Sequence, residues 1–161
     1  MAETNSMSPH GAVDERGGAA LAHSADLQRL LAYWHEIRGD RRFPQRANLD
    51  PIDLRFMLDR IALVAVHEEG CRRYRLRVVG SWWAQKYGFE ATGTWLEDWP
   101  NPVQLRATLA SYEALMALRQ PVILVRNELA DGAVLNYEAA LLPFSEDDER
   151  ISAIVAGIGQ H

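Results

Sequence analysis

Five aromatic side chains that follow a predicted strand are the residues of this chain best suited to contact a small molecule. They are Trp82, Trp83, Tyr87, Trp95 and Trp99. Aromatic rings stack on ligands, but large aromatic side chains also dominate the cores of small domains, so both interpretations stay open for each one. Because Trp82 and Trp83 are adjacent, a helix directs them to different sides, and one can be buried while the other lies outside.

Residues further along the chain complete the predicted ligand site. Tyr112 and Met116 are one helical turn apart on a predicted long helix, so they lie on one face and can form a second wall. Asn136 and Tyr137 lie on a predicted strand, where adjacent side chains point to opposite faces of the sheet. We expect Asn136 to supply a polar group, although the register that decides between it and Tyr137 is not determined by the sequence.

The acidic, histidine and cysteine residues do not form a pattern typical of an active site. Glu97 and Asp98 are adjacent, so their carboxylates diverge, and Asp147–Glu149 is predicted to be a solvated acidic loop. The turn His67–Glu69 lacks a third metal ligand at useful spacing. Cys71 is the single cysteine, which excludes an intramolecular disulfide and argues against a cysteine-based metal site. We therefore expect neither an enzyme nor a metal site.

The composition is typical of a single globular domain. The chain has 161 residues, of which 48% are hydrophobic, and this length suits one domain with one core. The formal net charge of -5 and the scattered basic residues argue against nucleic-acid binding. No stretch is apolar and long enough to span a membrane, and the N-terminus has no apolar signal core. We therefore expect a cytoplasmic protein without nucleic-acid or membrane partners.

Capping residues and apolar spacing predict three helices. Their expected ranges are Ser24–Gly39, Asp50–Asp59 and Asn101–Arg119, with short helical or turn segments at Trp82–Tyr87 and Trp95–Trp99. The apolar face of the first helix consists of Leu27, Leu30, Leu31, Trp34 and Ile37. The apolar face of the third helix consists of Leu105, Leu109, Tyr112 and Met116, with Leu115 beside it.

Runs of β-branched and alternating residues predict five strands. Their expected ranges are Ile61–Val66, Cys71–Val79, Val122–Leu129, Ala133–Phe144 and Ile151–Ile158. In the second strand, Tyr74, Leu76 and Val78 are expected to point to one face and the intervening arginines to the other. Asp131 and Gly132, between the third and fourth strands, are typical of a tight hairpin.

The order of these elements predicts an α+β domain. Two strands, a helical insert and a three-stranded meander form one five-stranded antiparallel sheet, with helices packed on one face. The folded domain is expected over residues 24–161. Met1–His23 is rich in glycine, alanine, serine and charge without periodicity, so we expect a disordered tail there.

This order resembles the PAS fold, and local residues resemble those of a family of short PAS-domain proteins common in alphaproteobacteria. The residues that carry the resemblance are Tyr33-Trp34, Arg38-Gly39, Arg41, Pro44, Arg46, Asp50-Pro51, Tyr74-Arg75-Leu76, Gly80, Tyr87-Gly88, Thr92-Gly93 and Leu142-Pro143-Phe144-Ser145. They extend the match from about Leu27 to Gly157. The resemblance implies a PAS-like sheet with a helical insert between strands two and three, in a regulatory or sensory domain that acts without a fused kinase or cyclase.

The resemblance does not imply a cofactor. Haem-binding PAS domains usually supply a histidine from the long helix or its flank, and the third predicted helix contains none. His35 and His67 lie outside the expected pocket. PAS-type flavin photoreceptors need a reactive cysteine in the helical insert, whereas Cys71 lies in the first predicted hairpin. We therefore expect neither haem nor flavin.

Two functions stay open. In the first, a small molecule binds between the sheet and the helical insert, and the signal passes to a protein partner. In the second, the domain is a ligand-free dimerisation or interaction module, in which Leu27, Leu31 and Trp34 pair with another copy or a partner. A homodimer is expected because PAS domains often pair through such a helix. No effector segment follows the last predicted strand, so contact with another protein or copy is the expected route of signalling.

Overall fold

The computed structural model describes residues 11–130 and 132–159, which build one sheet with helices on both of its faces. The strands are β1 Ala12–Val13, β2 Ala19–Ala20, β3 Ile61–His67, β4 Arg73–Val79, β5 Val122–Ala130, β6 Ala133–Phe144 and β7 Ala153–Gly159. The α-helices are α1 Ala25–Arg38, α2 Ser81–Tyr87 and α3 Pro102–Leu118, with 3-10 turns at Arg46–Asn48, Leu58–Arg60 and Leu96–Asp98. In this described part of the chain, no helix is long and apolar enough to cross a membrane.

The sheet has the strand order β2-β1-β5-β6-β7-β3-β4. Its five long strands pair antiparallel with one another, and the α+β class is confirmed. The prediction of a five-stranded antiparallel sheet is incomplete, because β1 and β2 extend the edge and β1 runs parallel to β5. The β5–β6 hairpin closes with Ala130 opposite Ala133, and Gly132 has φ of +77°; Asp131 lies outside the described residues.

The segment before α1 differs from the disordered tail that the sequence predicts. Residues 1–10 lie outside the described residues, but Gly11–His23 packs against the free edge of β5. The turn between β1 and β2 is held by the carboxylate of Asp14, which accepts hydrogen bonds from the backbone N–H groups of Arg16 and Gly18. Two-residue strands leave no periodic pattern in the sequence, and here their stability comes from pairing with a distant strand.

Helix α1 begins where Ser24 caps it, since the Ser24 Oγ accepts a hydrogen bond from the N–H of Leu27. The helix packs on the sheet face formed by β6 and β7, which we call the outer face. Glycine at 157 permits this close approach, because a Cβ there would lie 2.5 Å from Cδ2 of Leu30. The apolar side of the helix is therefore buried within the domain.

Helices α2 and α3 cover the opposite side of the sheet, which we call the inner face. Tyr112 of α3 and Trp83 of α2 approach Leu124 of β5 and Ala139 of β6 there. The expectation that the helices share one face is therefore wrong. Hydrophobic periodicity shows that a helix has one buried side, but it does not show which face of the sheet that side meets.

The predicted second helix is instead a series of turns. The carboxylate of Asp50 accepts a hydrogen bond from the N–H of Ile52, as a cap would. The backbone then makes i→i+3 bonds, such as Leu54 N to Pro51 O at 3.1 Å, in place of the α-helical i→i+4 bonds. Leu54 and Met57 are three residues apart and both buried, a spacing that fits three residues per turn.

A β-bulge changes the predicted faces of β4. Leu63 pairs with Val78 but Val64 pairs with Leu76, so Arg77 is the extra residue. Tyr74 and Leu76 are buried as predicted, whereas Val78 is 55% exposed. The prediction that Val78 shares their face is wrong, because the inserted residue reverses the alternation beyond it.

Gly80 provides a test of this packing, because the chain has no room for a side chain where β4 leads into α2. The ideal Cβ position at residue 80 lies 2.3 Å from the carbonyl oxygen of Asp59. Backbone atoms cannot rotate away as a side chain can, so we expect Gly80→Ala to lower the free energy of unfolding by about 1–3 kcal/mol. Urea unfolding measures this. The control is Ser81→Ala, at an exposed neighbour, which should stay within about 0.5 kcal/mol of wild type; equal stability of both variants would contradict the steric argument.

Candidate functional site

A cavity of about 50 Å³ lies between the inner face and helices α2 and α3. A buried water needs roughly 10–15 Å³ of such space, so the cavity has room for a few waters or for a ligand of a few heavy atoms. Its floor is apolar and comes from β5, β6 and β7: Leu124, Ala139, Leu141, Ala156 and Ile158. Small and aliphatic residues at these inner positions leave an unfilled space above the sheet. Residues from the helices and from the strand ends form the walls of this cavity.

Aromatic side chains form the walls, and four of the predicted ligand residues are among them. Trp83, Tyr87, Trp99 and Tyr112 line the cavity, together with Tyr137. Of the two adjacent tryptophans, Trp83 therefore faces the cavity. As contacts to a ligand, these residues remain a prediction.

Trp82 lies behind this wall. Its ring is 8% exposed and makes edge contacts with Tyr87 and Tyr137, at centroid distances of 5.9 and 5.2 Å. It therefore holds two lining tyrosines in place without lining the cavity itself. Of the expected pair, one tryptophan buried and the other outside, Trp82 is the buried one, whereas Trp83 is partly buried in the cavity wall.

Three of the predicted residues lie away from the cavity. Trp95 lies at the edge of β4, where the guanidinium of Arg73 stacks 3.8 Å above its ring. Met116 is partly buried on α3 but does not line the cavity. Asn136 is exposed and pairs with Asn127, which places it on the outer side of β6.

Tyr137 takes the inward position that the sequence analysis assigned to Asn136. It pairs with Arg126 of β5, and both side chains line the cavity. Because neighbouring side chains on a strand alternate, Asn136 cannot share this face with Tyr137. The choice of Asn136 as the inward polar residue is therefore wrong, and the register of β5 and β6 decides it.

Two tyrosines and a glutamate form one polar edge of the cavity. The Tyr87 hydroxyl donates to Glu128 Oε2 at 2.7 Å and the Tyr137 hydroxyl donates to Glu128 Oε1 at 3.2 Å. The two hydroxyl oxygens are 3.3 Å apart. Burial, together with this carboxylate, raises the pKa of both phenols, so they remain neutral hydrogen-bond donors.

Arg126 carries a positive charge into the same region. Its Nη2 and Nη1 atoms donate to Oε1 and Oε2 of Glu15 at 2.7 and 3.1 Å, and Nη2 also contacts Ser111 Oγ. The Ser111 hydroxyl in turn lies 2.8 Å from Glu15 Oε1. The hydrogen bonds between Arg126 and Glu15 hold the pKa of Glu15 below its ordinary value and raise the pKa of Arg126. The pair is therefore charged at neutral pH.

Among the fully buried side-chain polar atoms of the cavity residues that the structure describes, one has no hydrogen-bond partner. It is Nε1 of Trp99, which is buried. A buried donor without an acceptor costs about 1–3 kcal/mol. The cavity therefore combines apolar walls with polar groups from a tryptophan, two tyrosines and an arginine. The hydroxyl hydrogens of the two tyrosines are taken by Glu128, which leaves their oxygens as acceptors.

Polar residues of α3 belong to the site although the predicted apolar face omitted them. Gln104 and Ser111 are buried toward the sheet, while Leu109 is 40% exposed. The buried side of the helix is therefore rotated from the predicted one. The spacing of Gln104, Thr108 and Ser111 at i, i+4 and i+7 is a helical stripe that could have revealed this polar face.

The predicted interface residues of α1 lie in the core. Leu27, Leu31 and Trp34 are each 3% exposed or less. The indole of Trp34 donates from Nε1 to the carbonyl oxygen of Pro143 at 2.9 Å, which ties the helix to β6. In this conformation these side chains are not available to a partner.

A protein-family model and a solved structure relate this chain to known proteins. A PAS domain family model matches residues 22–158, which is most of the chain. The chain belongs to the PAS domain family. No curated protein matches the chain significantly. Among solved structures, the PAS domain of Bordetella pertussis BvgS is similar, with 14% identity, a TM-score of 0.48, and coverage of 64% of this chain and 77% of that chain.

Because the chain belongs to the PAS family, its general class is that of a sensory or regulatory domain. PAS domains are generally regulatory and not catalytic. The described residues contain no group of three or more histidine, cysteine, aspartate or glutamate side chains placed to hold a metal ion. The functional residues of this PAS domain are therefore best sought around its cavity.

The tyrosines of this PAS domain should report on the integrity of its fold. Burial raises the pKa of all five, Tyr33, Tyr74, Tyr87, Tyr112 and Tyr137, above the ordinary value of about 10. Folding therefore favours the neutral phenols, and this stabilisation is complete below pH about 10 and is lost as the pH rises past it. We expect tyrosinate absorbance to appear in one cooperative step together with alkaline unfolding. The urea-unfolded protein, as the control, should titrate near pH 10; titration of most tyrosines near pH 10 in the folded protein would contradict this burial.

Proposed function

We propose that this PAS domain is a regulatory sensor that binds a small molecule in its inner-face cavity and signals through protein–protein contact. The observation that carries the proposal is the group of polar side chains around an otherwise apolar cavity, Tyr87, Tyr137 and Arg126, together with the buried and unpartnered Nε1 of Trp99. A core without a ligand function would favour apolar side chains at these positions, because buried polar groups cost free energy unless they are paired.

Strand β6 provides a route from the cavity to α1. Tyr137 points into the cavity, and the next residue, Glu138, points to the outer face. The Glu138 carboxylate accepts hydrogen bonds from the backbone N–H groups of His23 and Ser24, at 2.9 and 2.8 Å, where α1 begins. A ligand that moves Tyr137 would therefore also move the anchor of α1.

The alternative function is a ligand-free interaction module. The small size of the cavity, about 50 Å³, favours it, since typical small-molecule sites measure several hundred Å³. The burial of Leu27, Leu31 and Trp34 means that such a module would use a different surface from the one expected. The homodimer and the cytoplasmic location also stay predictions.

Native mass spectrometry and ligand screening by thermal shift test the sensor. We expect a bound or screened compound of a few heavy atoms that raises the melting temperature of wild type. Ala139→Val should abolish this rise, because the added methyl groups occupy the cavity floor. Ala65→Val, the same change on the outer side of β3, is the matched control and should keep the response. Failure of wild type to bind any compound, or an unchanged response in Ala139→Val, would favour the ligand-free module.

Removal of the Glu138 charge tests the connection to α1. Burial raises the pKa of this carboxyl, but the hydrogen bonds from His23 and Ser24 outweigh burial and leave the pKa lowered. The stabilisation is therefore present above the ordinary glutamate pKa and is lost as the pH falls through the folded value. We expect Glu138→Gln to cost about 1–3 kcal/mol and to speed hydrogen exchange in the first turn of α1. The control is Asn136→Ala, an exposed change on the same face of β6, which should alter neither the stability nor the hydrogen exchange. Unchanged hydrogen exchange in the first turn of α1 in Glu138→Gln would exclude this anchor.

A further inference from the structure

Glu15 occupies the position that a bound carboxylate would take at the cavity. Its two oxygens receive two hydrogen bonds from Arg126, and the Ser111 hydroxyl lies within hydrogen-bond distance of one of them. We propose that Arg126 and Ser111 form a carboxylate-binding site, that Glu15 is its built-in occupant, and that a short monocarboxylate displaces Glu15. This inference rests on the proposed sensory function and names its ligand class.

The geometry of the site is selective for a carboxylate. A guanidinium presents two parallel N–H groups that match the two oxygens of a carboxylate. A neutral ligand group cannot reproduce this charged, two-point pairing. The Arg126 side chain is 17% exposed and Ser111 is 3% exposed, so the site is enclosed on its inner side. The Glu15 side chain is 33% exposed, so the outer side of the site is open to solvent.

The segment that delivers Glu15 has little backbone pairing to the main sheet. Glu15 lies in the turn between β1 and β2, two strands of two residues each. The backbone pairing to β5 is limited to Val13, which pairs with Val122 and donates a 3.0 Å hydrogen bond from its N–H to Pro121 O. The side chains of Ala12 and Val13 are buried and hold the start of the hairpin, whereas the more exposed turn is bound through the ion pair of Glu15 with Arg126. A competing carboxylate therefore acts directly on the turn and not on the buried strand.

The neighbouring charges restrict the ligand further. Glu128 lies on the same face of β5 as Arg126, two residues along, and its carboxylate is bound by Tyr87 and Tyr137. A second carboxylate on the ligand would meet the negative charge of Glu128. The cavity beside Arg126 accepts only a few heavy atoms. Both facts favour a short aliphatic monocarboxylate over a di- or tricarboxylate.

The consequence for signalling is a change at the sheet edge. When a ligand replaces Glu15 at Arg126, the β1–β2 hairpin loses its ion pair. The hairpin then separates from β5, and the edge of β5 becomes exposed. Because α1 follows this hairpin directly, the same event acts on the segment before Ser24. The ligand thus regulates a short segment that joins the sheet edge to α1.

Chemical rescue with propionate tests the site, since propionate is the glutamate side chain detached from the backbone. In Glu15→Ala, Arg126 loses its partner, and we expect millimolar propionate to restore the melting temperature toward that of wild type. Propionamide, a neutral molecule of the same shape, should have no effect. If the hairpin is docked about nine-tenths of the time, wild type should bind propionate about tenfold more weakly than Glu15→Ala. Tryptophan fluorescence can measure this binding, because Trp83 and Trp99 line the cavity.

Matched variants make the outcome decisive. Adding Arg126→Met to Glu15→Ala should abolish the rescue, and Glu69→Ala, which removes an exposed glutamate from the β3–β4 turn, should show no rescue. Glu15→Gln, which keeps the shape of the side chain, serves if Glu15→Ala is poorly folded. Absence of rescue in both Glu15 variants would overturn the proposal, and so would rescue that persists without Arg126.

The experiments distinguish failure of the carboxylate site from failure of the proposed sensory function. If wild type binds a screened neutral compound while the Glu15 variants ignore propionate, the carboxylate site is wrong and the sensor stands. If propionate binds wild type through Arg126 but this binding is unchanged in Ala139→Val, the carboxylate site stands and the proposed inner-face sensor is wrong.

Discussion

The alternation of side chains along β6 is the constraint on which both faces of this PAS domain depend. Tyr137 lines the cavity under α3, and Glu138, one residue later, holds the start of α1 on the other face. A displacement of the strand backbone moves both side chains together. The same strand accepts the indole hydrogen bond of Trp34 at Pro143, so α1 is fastened to β6 at two separate points. Cavity and helix are therefore coupled through one backbone.

The cavity brings charged groups into a region where they are costly unless paired. Arg126 and Glu128 both point to the inner face of β5, and each has a dedicated set of partners. Glu15 compensates Arg126, while Tyr87 and Tyr137 donate to Glu128. Polar groups in such a location stabilise the fold only when every one is satisfied. The pairing also makes the site responsive, since a ligand that replaces one partner changes the stability of the element that carries it.

Local signals in the sequence predicted many elements because the physics behind them is local. Ser24 and Asn101 cap their helices as expected, since a cap depends on the next three residues alone. The region Asp50–Asp59 was predicted as an α-helix but forms turns. Burial of both Leu54 and Met57, three residues apart, favours three residues per turn over the roughly 3.6 of the helix that the cap at Asp50 predicts. Val78 was misplaced because a bulge depends on how two strands meet.

The candidate site was predictable only in part, for a related reason. Aromatic composition identified Trp83, Tyr87 and Trp99 as residues near the cavity, and helical spacing identified Tyr112. Trp95, chosen as an aromatic residue, Met116, chosen for its spacing from Tyr112, and Asn136, chosen as a polar strand residue, lie elsewhere, because neither composition nor spacing tells what a given side of an element meets. The sequence by itself determined the order of the five long strands, the caps of α1 and α3, and the PAS family. Only the tertiary structure decided that Tyr137 faces inward and that Glu15 meets Arg126 across 111 positions of chain. Periodicity shows which residues share a face, whereas register and packing between distant segments determine what that face meets.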